Sequence, residues 1–327
     1  MNKKTLYLVL LFAGIAAPFI GYPIFLMTCL CFALFACAFN LLIGFTGLLS
    51  FGHAMFFGFA AYISGHLAKN GLVIEGIRVF KVNIPISLNL PPFSPELAIL
   101  TATFCAAILG WAVGWLAVRR QGIYFAMVTL ALSQMVYFFC VQAPFTYAED
   151  GIQSIPRGKF LGLIDLSNDI AMYFFVLAIF IGGFWLIYRI IHSPFGQVLK
   201  SIRENEPRAI SLGYDVDKYK LVAFVLSSAI AGLAGATKSL ALGIATLTDV
   251  GWQMSGEVVL MTLLGGMGTI LGPVVGAATI ITMQNYLSGF GSWVTIIMGA
   301  TFVVCVLLFR RGIVGEIEHR LGKKPTK

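Results

Sequence analysis

Long apolar runs separated by short polar connectors dominate the chain, and strict one-residue alternation is rare. A membrane-spanning helix needs about 20 consecutive apolar residues. Ten runs approach that length: 5–21, 23–43, 46–67, 96–118, 122–143, 170–190, 219–241, 255–269, 271–288 and 292–309. The eighth is short, and both it and the ninth are rich in glycine. The pattern predicts an all-α polytopic membrane protein of about ten transmembrane helices, with Gly-rich broken segments among them. The alternation from Val73 to Ile86 is the exception and predicts a short hairpin in a connector.

Two stretches depart from simple lipid-facing helix. NLLIGFTGLLSFGHAMFFGFAAY, from Asn40 to Tyr62, carries Gly44, Gly47, Gly52 and Gly58, with Asn40, Thr46, Ser50 and His53 interspersed. Glycine inside a helix costs roughly 1 kcal/mol relative to alanine, so its repeated use needs a reason. Either helices pack closely there, or the backbone breaks and lines a cavity. SGEVVLMTLLGGMGTILGPVVGAATI, from Ser255 to Ile280, is a similar stretch in the second half. Paired interruptions in corresponding positions point to a transport path; small-residue helix packing is the competing reading.

Composition agrees with the pattern: the 327 residues are 59% hydrophobic and 11% charged, with mean hydropathy +0.90. The net charge of +8 comes from basic residues at the ends of runs, which argues for positive cytoplasmic loops and against nucleic-acid binding. Lys3, Lys4, Arg119, Arg120, the 191–218 connector and the tail from Arg310 all fall on one side of a ten-span chain. That places both termini in the cytoplasm and the 144–169 loop outside; Arg78 and Lys81 in the 70–95 connector run mildly against it. The opening MNKK followed by an apolar run resembles a signal peptide, but no cleavage site stands out and a retained first span is expected. The cysteines Cys29, Cys31, Cys37, Cys105, Cys140 and Cys305 lie in apolar runs and read as buried thiols.

Catalytic and nucleotide signatures are missing. GLAGATKS, from Gly232 to Ser239, has Thr237 where a phosphate loop needs its second glycine, and it lies within an apolar helical run. The histidines His53, His66, His192 and His319 are scattered, and neither a metal motif nor a nucleophile elbow occurs. His53 and Glu257 are the ionisable groups placed at membrane depth, which makes them functional candidates. For His53 the alternative is a packed, hydrogen-bonded imidazole; for Glu257 it is a helix-start carboxylate near the interface. Lys238 reads as snorkelling from the end of its span. In the 191–218 connector, Ser193 and Pro194 start a short helix that Pro207 interrupts, and Ala209 to Leu212 resume as a second one ended by Gly213. Two short helices meeting at a kink suit docking to a partner.

With these features in hand, four motifs resemble one family. N-L-L-x-G-x-x-G-x-x-S-x-G-H-A from Asn40, Y-F-A-M-x-T-L-A from Tyr124, and S-P-F-G-x-x-L-x-x-I-R-E-N-E-x-R-A-x-x-L-G from Ser193 are three of them. The fourth is the set Met261, Leu264, Gly265, Gly266, Gly268, Thr269, Gly272, Pro273, Gly276 and Ala277. Together they are similar to the permeases of branched-chain amino acid ABC importers, and length and the loop after Tyr147 resemble the M-type partner. The resemblance implies a single non-catalytic permease domain over 1–327 in the bacterial inner membrane, without a cofactor. It implies, as partners, a second permease, two cytoplasmic ABC ATPases, a periplasmic binding protein and membrane lipid. The translocation path or subunit seam is then expected at Asn40, Gly47, Ser50, Gly52, His53, Glu257, Gly265, Gly266 and Gly268. ATPase coupling is expected at Ile202, Arg203, Glu204, Asn205, Glu206, Arg208, Ala209 and Gly213, where Glu206 to Ala209 stand in for an EAA-type motif. Contact with the binding protein is expected at Asp150 and Gly151. A permease for urea or short amides shares much of the pattern, and a stand-alone secondary transporter or channel is the rival of another class.

Overall fold

The computed structural model describes residues 12, 14–19, 21–74, 77–79, 82–84, 88–120, 122–160, 162, 164–291, 293–308 and 312–320. Most of the first apolar run, with Lys3, Lys4, Lys81, Ile86, Arg310, Arg311 and the tail from 321, lies outside the described residues.

Each apolar run from 23–43 onward forms its helix. They are α1 (Pro23–Ile43), α2 (His53–Asn70), α3 (Pro95–Ala117), α4 (Ile123–Gln142), α5 (Asp169–His192), α8 (Val216–Leu242), α9 (Trp252–Gly265), α10 (Gly272–Leu287) and α11 (Trp293–Leu308). Short helices α6 (Pro194–Glu204) and α7 (Glu206–Ser211) fill the connector before α8, and α12 (Gly312–Arg320) follows α11. By length and composition α1, α3, α4, α5 and α8 can cross a membrane, whereas α9 and α10, at 14 and 16 residues, fall short of the span length.

The core is built on α1, in which every residue from Cys31 to Leu42 is buried. Helix α8 packs against α1, α2 and α3, and the α2–α8 approach depends on Gly235: a Cβ there would stand 1.9 Å from the Phe57 carbonyl oxygen. Small residues that let backbones meet are the usual basis of helix association in lipid. Helix α4 lies at the edge of the bundle, with Ile123, Tyr124, Met127, Met135 and Phe138 exposed.

Two non-helical stretches interrupt this packing. Helix α2 starts at His53 and not at 46, because Gly47 takes φ +79° and the Leu48 N–H turns back onto the Leu42 carbonyl at 3.3 Å. The second stretch, 243–251, turns inward from the end of α8. Gly58 of α2 abuts Asp249 and Val250, and Ser255 Oγ accepts a hydrogen bond from the Ala54 N–H at 2.9 Å. Helix α9 therefore begins part-way along α2 and runs antiparallel to it.

The chain reversals sort into two ends. One end carries 44–52, Arg119, Arg120, α6, α7 and the α9–α10 break. At the other, β1 (Leu72–Ile74) pairs with β4 (Leu88–Leu90), and β2 (Ile77–Val79) pairs with β3 (Val82–Ile84), all antiparallel, so the predicted hairpin is present. The 144–169 loop closes over the same end through β5 (Lys159–Phe160) and β6 (Ile164–Asp165). Reciprocal Ile152–Ala245 backbone hydrogen bonds of 2.9 Å and the Arg157–Asp169 ion pair at 2.6 Å fasten it.

Candidate functional site

The two Gly-rich stretches and the docking connector, far apart in sequence, converge at the basic end of the bundle. Asn40, in the last turn of α1, donates from Nδ2 to the Thr269 carbonyl at 2.8 Å, and its Oδ1 accepts from the Gly268 N–H at 3.0 Å. One side chain thus ties the end of α1 to the break between α9 and α10. Arg203 of α6 reaches the same place and donates to the Gly44 carbonyl. Close approach leaves no room for side chains: a Cβ on Gly44 would stand 2.1 Å from Asn40 Oδ1, and one on Gly268, at φ +74°, would stand 3.0 Å from an Arg203 guanidinium nitrogen.

The α9–α10 break is built by its own sequence. Thr269 Oγ1 donates to the Gly266 carbonyl at 2.7 Å and accepts from the Gly272 N–H at 3.1 Å, so one hydroxyl serves the end of one helix and the start of the next. Gly265 lies against the Gly272 carbonyl, and Gly276 against that of Met261, closing the two helices into a hairpin. Here the backbone breaks, and the helices beside the break touch.

The remaining path candidates lie elsewhere. Ser50 is buried and accepts from the Gly52 N–H at 3.3 Å just before α2, and Gly52 in turn lies against the Thr129 carbonyl of α4. His53 is 0% exposed. Its Nε2 meets Ser227 Oγ at 2.7 Å, and Ser227 in turn donates to the Ala38 carbonyl at 2.5 Å. The rings of Phe35, Phe39, Phe56 and Phe224 enclose the imidazole, whose Nδ1 is buried without a hydrogen-bond partner. Glu257 is half-buried on α9 and accepts from Gln284 Nε2 of α10 at 3.0 Å. At the far end, Gly151, at φ +66°, presses on the Ala245 carbonyl while Asp150 stays exposed.

The docking connector divides into a seat and a free face. Ser193 caps α6 by accepting from the Gly196 N–H at 3.3 Å, and Asn205 caps α7 by accepting from the Arg208 N–H at 3.0 Å. The kink is therefore at Asn205, and Pro207, expected to interrupt a helix, sits in the first turn of α7 where it suits the backbone. Ile202 and Ala209 are buried on Val216, so they form the seat and not a contact surface. Glu206 faces inward too: it binds Lys220 of α8 at 2.6 Å, and the Lys220 side chain is 3% exposed. Glu204, Asn205, Arg208 and Gly213 face outward, together with Ile210 at 56% and Leu212 at 66% exposure. These last two are missing from the sequence-based set, although apolar residues in a polar connector were the available signal.

A buried ion pair also escaped the sequence reading. Lys238 does not snorkel; it pairs with Asp249, and the two side chains are 9% and 2% exposed. The inward turn of 243–251 brings the carboxylate to it. Thr246 Oγ1 donates to the other Asp249 oxygen at 3.2 Å, and the Phe32 and Phe57 ring centroids lie 5.6 and 5.8 Å from Lys238 Nζ. Among the described residues no cluster of His, Cys, Asp and Glu is placed to hold a metal.

Comparison with known proteins places these features in context. The family model described as branched-chain amino acid transport system / permease component matches residues 8–306. The LivM permease protein of the high-affinity branched-chain amino acid transport system of Escherichia coli K12 is 24% identical, over 98% of this chain and 77% of its own length. A probable LivM of Methanocaldococcus jannaschii is 25% identical over 75% of each chain. The ribose import permease RbsC of Bacillus subtilis is 27% identical over 49% of this chain and 50% of its own. No solved structure matches significantly.

Proposed function

The chain belongs to the branched-chain amino acid transport system permease family, and from that premise we propose that it is one of two permease subunits of an ATP-driven importer for leucine, isoleucine, valine or related amino acids. It is a multi-pass membrane protein, here assigned to the inner membrane as a single permease domain with ten spans. The basic end faces the cytoplasm with both termini, as the positive-inside rule requires. The subunit itself catalyses nothing. Two cytoplasmic ATPases hydrolyse ATP, and a periplasmic binding protein delivers the solute to the end closed by the 144–169 loop, where Asp150 is exposed.

The observation that carries this reading is the capped helix pair α6–α7. It is seated on α8 by Ile202, Ala209 and the Glu206–Lys220 pair, and it holds Glu204, Arg208, Ile210 and Leu212 clear of the bundle. A solvated linker needs neither caps nor an ion-paired seat. In the proposed role, Ile210 and Leu212 enter a groove of the ATPase while the charged residues set register. The test is co-purification: Ile210→Glu with Leu212→Glu leaves the chain in the membrane and releases the ATPase. Undiminished ATPase recovery with the double variant overturns the assignment of this face.

A further inference from the structure

We propose that Arg203, an exposed residue of α6, is the joint through which movement of α6 reaches both Gly-rich breaks, and that it acts by its contacts within the permease and not as a contact with the ATPase. The inference rests on the docking role of α6–α7 and adds how a docking movement enters the membrane part.

Gly44 is the residue that caps the C-terminal end of α1, where carbonyls lack helical partners. Cationic side chains bond such carbonyls and complement the negative end of the helix dipole. Arg203 does both, crossing from α6 to α1. The aliphatic stem lies over Gly47, where a Cβ would stand 3.2 Å from Arg203 Cγ. Gly268 adjoins the same guanidinium, and Asn40 binds Gly268 and Thr269 from the α1 side. Lys200, also on α6, sets its ammonium 5.9 Å from the Phe45 ring centroid in the 44–52 stretch. A shift of α6 is therefore communicated to α1, to the 44–52 stretch and to the α9–α10 break at once. The glycines keep this joint tight, because larger residues would separate the backbones that Arg203 and Asn40 hold together.

The experiment uses the complete importer in lipid vesicles, with binding protein and leucine, and compares the native chain with Arg203→Ala, Arg203→Gln and Arg203→Lys. Three quantities are read: ATPase co-purification, leucine uptake, and the ratio of ATP hydrolysis with loaded binding protein to that without it. All three variants are expected to retain the ATPase. Ala and Gln lose uptake and the stimulation ratio by about tenfold to a hundredfold, the factor that one charge-assisted hydrogen bond carries; Lys, which keeps a cation at the helix end, recovers part of both. Native-like coupling in the Ala variant overturns the joint, and so does ATPase loss in step with uptake, which marks a direct contact. Should the Ala chain fail to accumulate, Gln fills the same space without charge and is judged by the same outcomes. Failure of the native assembly to take up leucine with ATP refutes the proposed function instead, before any variant is compared.

Discussion

Replacing Lys238 with Met strands the Asp249 carboxylate inside the bundle, and the structure sets the size of the effect. The side chains are 9% and 2% exposed, so solvent screens the pair little. The loop that caps this end packs on Gly65 through Ile155, whereas Asp249 abuts Gly58, about 10 Å of helix rise deeper. Removing one member of a buried pair costs about 3–5 kcal/mol, and Lys238→Met is expected within that range. Asp249→Asn is milder, because the ammonium keeps the faces of Phe32 and Phe57, worth up to about 2 kcal/mol when desolvated. Lys238→Met combined with Asp249→Asn removes both charges and restores much of the loss, since neutral replacement of a buried pair is often tolerated. The assay is reversible unfolding of the purified chain in detergent, run as a double-mutant cycle. A coupling energy of about 2 kcal/mol or more is expected; additive costs, or a Lys238→Met chain as stable as the native one, refute the reasoning.

Two further outcomes follow from single residues. His53→Leu removes the bond to Ser227, whose hydroxyl still serves the Ala38 carbonyl, so a stability loss of about 1 kcal/mol with unchanged uptake per molecule is expected from melting and transport assays; reduced uptake at native abundance assigns His53 to the path. At the start of α8, hydrogen bonds from the Lys218 side chain and backbone hold the Asp215 carboxyl below the usual carboxylate range. Because the folded value is the lower one, this contribution is complete at neutral pH and disappears as pH falls below the ordinary carboxylate range and through that value; Asp215→Asn therefore flattens the acid limb of a melting profile, and an unchanged limb contradicts it.

The apolar runs made the helices legible because a membrane solvent imposes one length and one polarity on each span. Gly47 and Thr269 sit where those runs break, and both the positive φ and the bridging hydroxyl suit residue types visible in the sequence. Pairing across space was not legible. Arg203 and Gly44 are 159 positions apart, and nothing local marks an exposed arginine in a polar connector as bonded to the end of another helix. Glu206 read as an exposed docking charge because its partner, Lys220, looked like an ordinary residue at a helix start. Lys238 read as snorkelling because Asp249 lay in a connector whose inward turn no periodicity reports. In each case the missing information was a tertiary contact, while the local propensities agreed with the fold.

The most direct test of the central claim is uptake of labelled leucine into vesicles that contain this chain with its partner permease and ATPases, supplied with loaded binding protein. Uptake that requires ATP inside the assembly and the binding protein outside, and that is absent from vesicles holding this chain alone, is the predicted result. Uptake by the isolated chain driven by an ion gradient, without ATP, would contradict it.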